Sequence, residues 1–443
     1  MNALPPYLLK TPPTKLTTLP SGIRVATEEG FGEIATIGVW LDAGSAYENV
    51  FNNGTAHFLE HMAFKGTTNR TKQQLETEVE NLGANLNAYT SREQTVYVAQ
   101  CVKKDSERLL AIIADILQHS ELTKSNVESE RDTILKEKEV VEESEDELLF
   151  DYMHAAAYQK SSLGLTILGE VENIKSIKRS DLLEYITSHY TRRRAIVVAA
   201  GAVHHDEVVK MADKLFPHLS SNTDIPAREP VEFFGSEIRL PPKGPLAHVV
   251  YGFEGVSWAH PHYFTFMIIQ TFLGNWDRNM GSGKHLGSRL ADVVSQNELA
   301  HSYQTMSTCY YTTGILSIYC VAPPDNLDLL TYEVMREFKL IGERLDEEEL
   351  RRAKNKVKSS FLMNIDSSMA TAEDIGRQVL SLNRRLSPAE MFLRIEAIQI
   401  SDVLECLDQY FNDVCPVIVA MGNLEKLPKY ETIREMTNWN TQK

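Results

Sequence analysis

Ile177-Lys178-Arg179-Ser180-Asp181-Leu182-Leu183-Glu184 has a counterpart in Ile398-Gln399-Ile400-Ser401-Asp402-Val403-Leu404-Glu405. Carried forward at the same offset without a gap, Val198-Ala199-x-Gly201 falls on Val419-Ala420-x-Gly422. Each copy reads as an isoleucine, a Ser-Asp helix start, an amphipathic helix and an apolar strand that closes on glycine. Two unrelated helix–strand units could agree by coincidence, but gap-free agreement through both elements favours duplication. The expected fold is therefore α+β, with two homologous halves, each a mixed, mainly antiparallel sheet packed with helices. Residues 218–235, rich in Ser, Asn, Asp and Pro, are the expected linker between a first domain over 1–217 and a second over 236–443.

Outward from the repeat, alternating apolar residues predict strands at 23–27, 34–41, 83–90, 94–102 and 195–201. Helical periodicity predicts helices at 54–65, 71–82, 105–119, 180–189 and 205–216, the first capped by Gly66. The acidic stretch from Val127 to Tyr158 reads as a helix with a break near Ser144.

The duplication is chemically lopsided. The first half contains His57-Phe58-Leu59-Glu60-His61, the inverse of the His-Glu-x-x-His arrangement of zinc peptidases. On a helix, the i, i+4 spacing stacks His57 and His61 one turn apart, where both imidazoles can reach one Zn²⁺. Glu60 lies on the same side, and a carboxylate beside such a metal can take a proton from water. The competing reading is an exposed helix whose histidines merely flank a glutamate. The second half has no such pentapeptide, and its histidines, His260, His262, His285 and His301 among them, are not paired at i, i+4. A catalytic site needs a third ligand. Glu130, Glu137, Glu139, Glu142, Glu143 and Glu145 all compete, and helical spacing does not choose among them.

Other signals carry less. Gly281-Ser282-Gly283-Lys284 lacks the remaining Walker residues, because Arg278 and His285 stand where Gly and Ser or Thr are needed, so it reads as a glycine loop. Arg192-Arg193-Arg194 reads as a solvated turn before a strand. At 443 residues the chain exceeds one ordinary core, and 43% hydrophobic with 24% charged residues is a globular composition. A formal net charge of -16 disfavours nucleic acid and favours basic ligands. Cys101, Cys309, Cys320, Cys406 and Cys415 form no Cys-x-x-Cys pair, which fits reduced thiols inside a cell or organelle. No apolar run is long enough to cross a membrane as a helix. Residues 1–20 hold two lysines, no acid and five prolines, too Pro-rich for a helical transit peptide, so the expectation is that any import signal is already gone.

The stretch Gly54-Thr55-Ala56-His57-Phe58-Leu59-Glu60-His61-Met62-Ala63-Phe64-Lys65-Gly66-Thr67 resembles the inverted-motif zinc peptidases, the family of pitrilysin and insulin-degrading enzyme, and in particular its presequence-processing mitochondrial branch. The likeness extends through Leu86-Asn87-Ala88-Tyr89-Thr90-Ser91-Arg92-Glu93, Glu130-Arg131-Asp132-x-Ile134, and Thr166-Ile167-Leu168-Gly169 with Glu172-Asn173-Ile174-Lys175-Ser176-Ile177. It continues in Gly274-Asn275-Trp276-Asp277-Arg278, Arg352-Ala353-Lys354 and Glu373-Asp374-Ile375-Gly376-Arg377-Gln378-Val379. Leu165 and Glu170 depart from the pattern, both outside the metal motif.

The resemblance implies a zinc endopeptidase that removes N-terminal presequences from imported precursors. It assigns Zn²⁺ to His57, His61 and Glu137, the catalytic base to Glu60, and the orientation of a ligand histidine to Glu130. It gives Glu147 and Asp151 the substrate arginine, Phe64 the pocket after the cut, and Asn87, Ala88 and Tyr89 the edge strand that takes up substrate. It further implies a heterodimer with an alpha-type subunit lacking the metal motif, basic presequence peptides as substrates, and residence in the mitochondrial matrix. Some relatives instead serve as core subunits of ubiquinol–cytochrome c reductase (respiratory complex III) on the matrix face of the inner membrane. That is the alternative role, alone or in combination.

Overall fold

A computed structural model of the chain describes residues 8–222, 230–280 and 287–440. The Gly281-Ser282-Gly283-Lys284 loop and part of the expected linker lie outside the described residues. The chain begins with β1 (Lys15–Thr18), β2 (Arg24–Glu29) and β3 (Ile34–Leu41), then α1 (Thr55–Met62), α2 (Lys72–Asn81), β4 (Asn85–Thr90) and β5 (Thr95–Val102). The helices α3 (Ser106–His119), α4 (Lys124–Glu143), α5 (Glu145–Ala157), α6 (Val171–Ser176) and α7 (Arg179–His189) lead to β6 (Ala195–Gly201) and α8 (His205–Leu215). The second half runs β7 (Ser236–Leu240), β8 (Ala247–Gly255), α9 (Tyr263–Leu273), β9 (Asn275–Asp277), α10 (Arg289–Gln296), β10 (Ser302–Cys309) and β11 (Gly314–Ala322). It continues with α11 (Leu327–Arg344), α12 (Glu347–Asn364), α13 (Ser368–Leu382), α14 (Pro388–Ala397), α15 (Ile400–Phe411), β12 (Val417–Met421) and α16 (Tyr430–Met436).

The first sheet has the order β1-β2-β6-β3-β5-β4, with β2 and β6 parallel and the other pairs antiparallel. Its central strands β3, β5 and β6 are buried on both faces, and the alternation along β3 shows how. Ile37, Val39 and Leu41 point into a core with Phe58 of α1, Leu109 and Ile113 of α3, Leu182 of α7 and Val208 of α8. Trp40 points the other way, into a core with Ala372, Ile375 and Val379 of α13. A side chain at Gly376 would meet the Trp40 ring at 2.5 Å, so the missing Cβ there lets α13 lie against the indole.

The second sheet runs β7-β12-β8-β11-β10-β9. Its β7–β12 pair is parallel and the remaining pairs are antiparallel. Strands β7, β12, β8, β11 and β10 therefore repeat β2, β6, β3, β5 and β4 in order and direction. The repeat persists in detail. The Lys178 amide donates to Asp181 Oδ2 at 2.9 Å at the start of α7, and the Gln399 amide to Asp402 Oδ2 at 2.7 Å at the start of α15. The α+β duplication expected from the sequence is thus present down to the helix caps.

The compact units depart from the contiguous division at 217/236 in two places. One unit holds the described residues up to Glu139, those from Leu165 through the rest of the first half, and Phe361–Met391. The other holds Val140–Gly164, the described second-half residues up to Ser360, and those from Phe392 on. The cause is burial. Helix α5 carries Leu149, Met153 and Ala156 on one face and packs on β8 and β12, whereas α13 covers the first sheet. The long helix does break at Ser144, whose extended backbone separates α4 from α5.

Candidate metal centre

Helix α1 packs between the edge strand β4 and α7. Its sequence makes it amphipathic, with Ala56, Phe58, Leu59 and Met62 buried. It ends at Met62 with Ala63 as the C-cap, and Gly66 pairs with Thr71 in an isolated bridge instead of capping α1 as expected. His57 is buried, while His61 and Glu60 are half-buried. The imidazole centroids lie 4.7 Å apart, as one helical turn requires.

Helix α4 brings the third group. Val127, Glu130, Arg131 and Ile134 form its buried stripe, and one further turn along the same face is Glu137. Glu139, Glu142 and Glu143 are exposed. The helix is anchored by Arg131, which donates to the carbonyls of Ile174 and, at 2.8 Å, Ile177, and lies 5.7 Å from the Phe58 ring centroid of α1. His57, His61 and Glu137 each offer one ligand atom, all within 4.8 Å of one another. His61 Nε2 is 2.9 Å from Glu137 Oε2, and His57 Nε2 is 3.6 Å from Glu137 Oε1. Yet Glu137 Oε2 is buried without a partner in hydrogen-bond geometry. Close polar atoms that converge without bonding fit a cation among them, and two imidazoles with one carboxylate form the donor set of a catalytic zinc site.

The surroundings support those three groups. Glu130 Oε2 is 3.3 Å from His61 Nδ1, the nitrogen turned away from Glu137, and Glu130 Oε1 is 2.5 Å from Lys65 Nζ. A carboxylate on the far nitrogen of a ligand histidine fixes its ring and tautomer. Contact with His57, then His61, holds Glu137 well below the usual carboxylate range against the opposing effect of burial. Burial lowers the His61 pKa, but Glu137, Glu60 and Glu130 outweigh it and raise the net value. Glu60 is pushed up by burial, against the pull of the Thr90 hydroxyl and the two histidines.

The remaining candidates fall in different places. Phe64 is partly buried against the first core. Strand β4 has a strand neighbour on one side only among the described residues, with Asn87 exposed and Ala88 buried along it. The Tyr89 hydroxyl donates at 2.6 Å to Glu373 Oε2 of α13, so its side chain is committed to the sheet's far face. Glu147 and Asp151 lie one turn apart on α5, in the second compact unit, and not in the unit that holds the metal motif as the contiguous division implied.

Two groups had no signal in the sequence reading. Arg194 is fully buried, not part of a solvated turn: it donates to the Asp42 carbonyl at 2.6 Å and His189 Nδ1 at 2.8 Å and lies over the Tyr47 ring. Glu48 is a buried carboxylate at the head of α1, and burial raises its pKa to about 7 despite bonds from Ala56, Gly54 and Asn53. Its only sequence cue is indirect: the N-cap of α1 is a glycine, which has no side chain to cap with.

Comparison with known proteins places this geometry. Residues 24–171 match the insulinase domain of peptidase family M16, and residues 176–357 match the M16 inactive domain. The chain is 46% identical over 440 residues to a probable mitochondrial-processing peptidase subunit beta of Arabidopsis thaliana, covering 98% of this chain and 83% of that protein. It is 46% identical to the mitochondrial-processing peptidase subunit beta of Bos taurus (98% and 89% covered) and 45% identical to that of Homo sapiens (98% and 89%). A chain of the solved complex III2 of Candida albicans with Inz-5 bound superposes with a TM-score of 0.85 at 25% identity, covering 96% of this chain and 99% of that one. The M16 domain that carries the inverted histidine motif is followed here by a duplicate without that motif, and the chain belongs to peptidase family M16, among the mitochondrial-processing peptidase beta subunits.

Proposed function

We propose that this chain is the catalytic beta subunit of a mitochondrial processing peptidase, a zinc endopeptidase of the matrix that removes N-terminal presequences from imported precursors. The observation that carries the reading is the convergence of His57, His61 and Glu137 within 4.8 Å, with Glu137 Oε2 buried and unbonded. When bound there, zinc supplies a Lewis acid that polarises the scissile carbonyl and makes water a better acid. The chain's own residues do the rest. Glu60, on the same helix face, takes the proton of the attacking water and returns it to the leaving amine. Glu130 keeps the His61 ring turned so that Nε2 faces the site. The open side of β4 at Asn87–Tyr89 offers backbone donors and acceptors to an extended peptide, which joins as an extra strand. Phe64 lines the pocket after the cut. Glu147 and Asp151 flank the arginine two residues before it.

The duplication supports a partner. A chain with one metal-bearing half and one metal-free half supplies part of a cleft, and an alpha-type subunit completes it. The alternative is a core subunit of complex III, favoured by the likeness to the Candida albicans chain. Retention of His57, Glu60, His61 and Glu137 favours the peptidase. The deciding experiment measures zinc content of the purified chain and its turnover of a basic presequence peptide, alone and with an alpha-type subunit. One zinc per chain and cleavage only in the mixture is expected. Full activity of the lone chain would remove the partner from the proposal. A chain that takes up no zinc and co-purifies with cytochromes would replace the peptidase by the core-subunit role.

A further inference from the structure

Helix α1 carries His57, Glu60 and His61, yet its own sequence gives it no N-terminal cap. Gly54 holds the N-cap position at φ 100°, and a Cβ there would meet the Leu168 carbonyl oxygen at 2.8 Å. The donors at this end are met from outside the helix. Glu48 Oε1 accepts from the Ala56 amide at 2.6 Å, and Glu48 Oε2 accepts from the Gly54 amide at 2.8 Å and from Asn53 Nδ2 at 3.0 Å. Asn53 Nδ2 also donates to the Thr166 carbonyl at 2.8 Å, tying the same turn to the segment before α6.

Glu48 is itself held by the end of the sheet. Residues 42–48 run directly from β3, and their backbone is bonded on several sides. The Asp42 amide donates to the Arg194 carbonyl at 2.9 Å, and Arg194 Nε donates back to the Asp42 carbonyl. The Thr95 hydroxyl donates to the Ala43 carbonyl at 2.8 Å, and the Tyr185 hydroxyl to the Gly44 carbonyl at 2.9 Å. The Ala46 amide donates to the Arg92 carbonyl at 2.7 Å. A rigid segment clamped to β5, β6 and α7 thus ends in the carboxylate that grips α1.

We infer that Glu48 is a positioning residue for the metal centre: it fixes the height and phase of α1 so that His57 and His61 meet Glu137 of α4. The inference rests on the zinc reading above. Helix α1 shares no ladder with the sheet, and apolar packing is not directional, so side-chain contacts alone leave the helix free to slide or turn slightly. The hydrogen bonds to Glu48 are directional and buried. Losing them shifts the two imidazoles together against a ligand on another helix. Groups outside the ligand set that fix ligands in this way change metal affinity by about 10–100-fold when removed.

The test uses the full chain with zinc, and with Co²⁺ as a spectroscopic probe. Chelator competition gives the affinity, and the visible absorption of the Co²⁺ form reports ligand geometry. Glu48→Ala is expected to bind zinc about 10–100-fold more weakly with an altered Co²⁺ spectrum. Glu48→Gln, nearly isosteric but with only one oxygen to accept, is expected in between, and it decides the matter if the alanine variant does not fold. Gly376→Ala serves as the control, because it disturbs the same unit at Trp40, away from α1. A merely structural Glu48 would lower stability and leave the affinity per folded molecule unchanged. Parent-like affinity and spectrum in the Glu48 variants would therefore overturn the inference, as would an equal loss of affinity in Gly376→Ala. A parent chain that binds no zinc would overturn the zinc reading itself, and the inference with it.

Discussion

Glu60→Gln separates holding the metal from using it. Glu60 is not one of the three groups that converge within 4.8 Å, and its backbone carbonyl, which accepts from the Ala63 amide at 3.1 Å, is untouched by the change. Gln has almost the same shape, so α1 keeps its packing on β4 and α7, and His57, His61 and Glu137 keep their positions. What disappears is the one carboxylate on that helix face able to accept a proton. Loss of a positioned general base lowers the rate by about 10²–10⁴-fold, equivalent to about 2.7–5.5 kcal/mol of barrier. The assay pairs zinc content per chain with turnover of one presequence peptide by the reconstituted heterodimer. Zinc near the parent level, KM little changed and kcat reduced by those factors is the expected pattern. His57→Ala, by contrast, should lose zinc and activity together. If Glu60→Gln keeps more than about a tenth of the parent rate, Glu60 is not the base and the reading of α1 is wrong.

Three further outcomes follow from other parts of the molecule. Glu147→Ala or Asp151→Ala should reduce kcat/KM for peptides with arginine two residues before the cut by about 1.5–3 kcal/mol, the range for a hydrogen bond to a charged group, and leave alanine-bearing peptides nearly unaffected; equal losses on both would make the pair structural. His189 is held neutral, its pKa lowered to about 4 by burial and then by Arg194, so its contribution to stability is complete above its unfolded pKa of about 6.5 and is lost as pH falls through about 4. In chelator-treated protein, that acid-side loss, of order 3 kcal/mol, should shrink in His189→Gln when urea midpoints are compared from pH 7 to 4, and an unchanged slope would refute the assignment. Gly376→Ala should cost about 1–3 kcal/mol in urea unfolding because its Cβ has no room beside Trp40, whereas at an open helical site the same change would stabilise.

The parts of the fold and site that the sequence made legible are those written in local pattern. Ile34–Leu41 reads as a strand and is β3 to the residue, and the Ser-Asp helix starts of the repeat reappear as the Asp181 and Asp402 caps. The i, i+4 histidines lie on one helix, where that spacing sets both side chains on one face a turn apart. Glu137 is harder to single out, since eight glutamates occupy the stretch from Val127 to Tyr158 and charge alone does not rank them. Phase narrows the choice without completing it: Val127, Glu130–Arg131 and Ile134 set the buried stripe, Glu137 continues it on the face of Glu130, and Glu139, Glu142 and Glu143 turn outward. Arg194 and Glu48 escaped for the opposite reason. A buried arginine or glutamate is recognised by the carbonyls and amides that satisfy it, and those lie far along the chain or in a loop with no periodicity. The exchange of α5 and α13 between the units was likewise invisible, because an amphipathic helix advertises a buried face without naming the sheet that covers it.

The two halves differ most tellingly at one sheet edge. In the second half, β9 pairs antiparallel with β10, through Asn275–Asp277 and Gln304–Ser302. Strand β10 is the counterpart of β4, so the edge that β9 covers in one sheet has, among the described residues, no strand beside β4 in the other. An unpaired edge is a hazard that folded proteins normally cover. In the second half this chain covers it with its own three residues. In the first it leaves the edge next to α1, the helix that carries His57, Glu60 and His61. The same architecture thus accommodates an added antiparallel strand on that edge, as β9 does in the duplicate against Ser302–Gln304, the counterpart of Asn85–Asn87. An extended peptide laid along the open edge of β4 would take the place that β9 takes beside β10, and because α1 packs on β4, its backbone would lie beside the helix that carries His57, Glu60 and His61. The second half thus closes that edge and lacks the paired histidines, whereas the first holds the histidine motif beside an edge that, among the described residues, has no strand next to it.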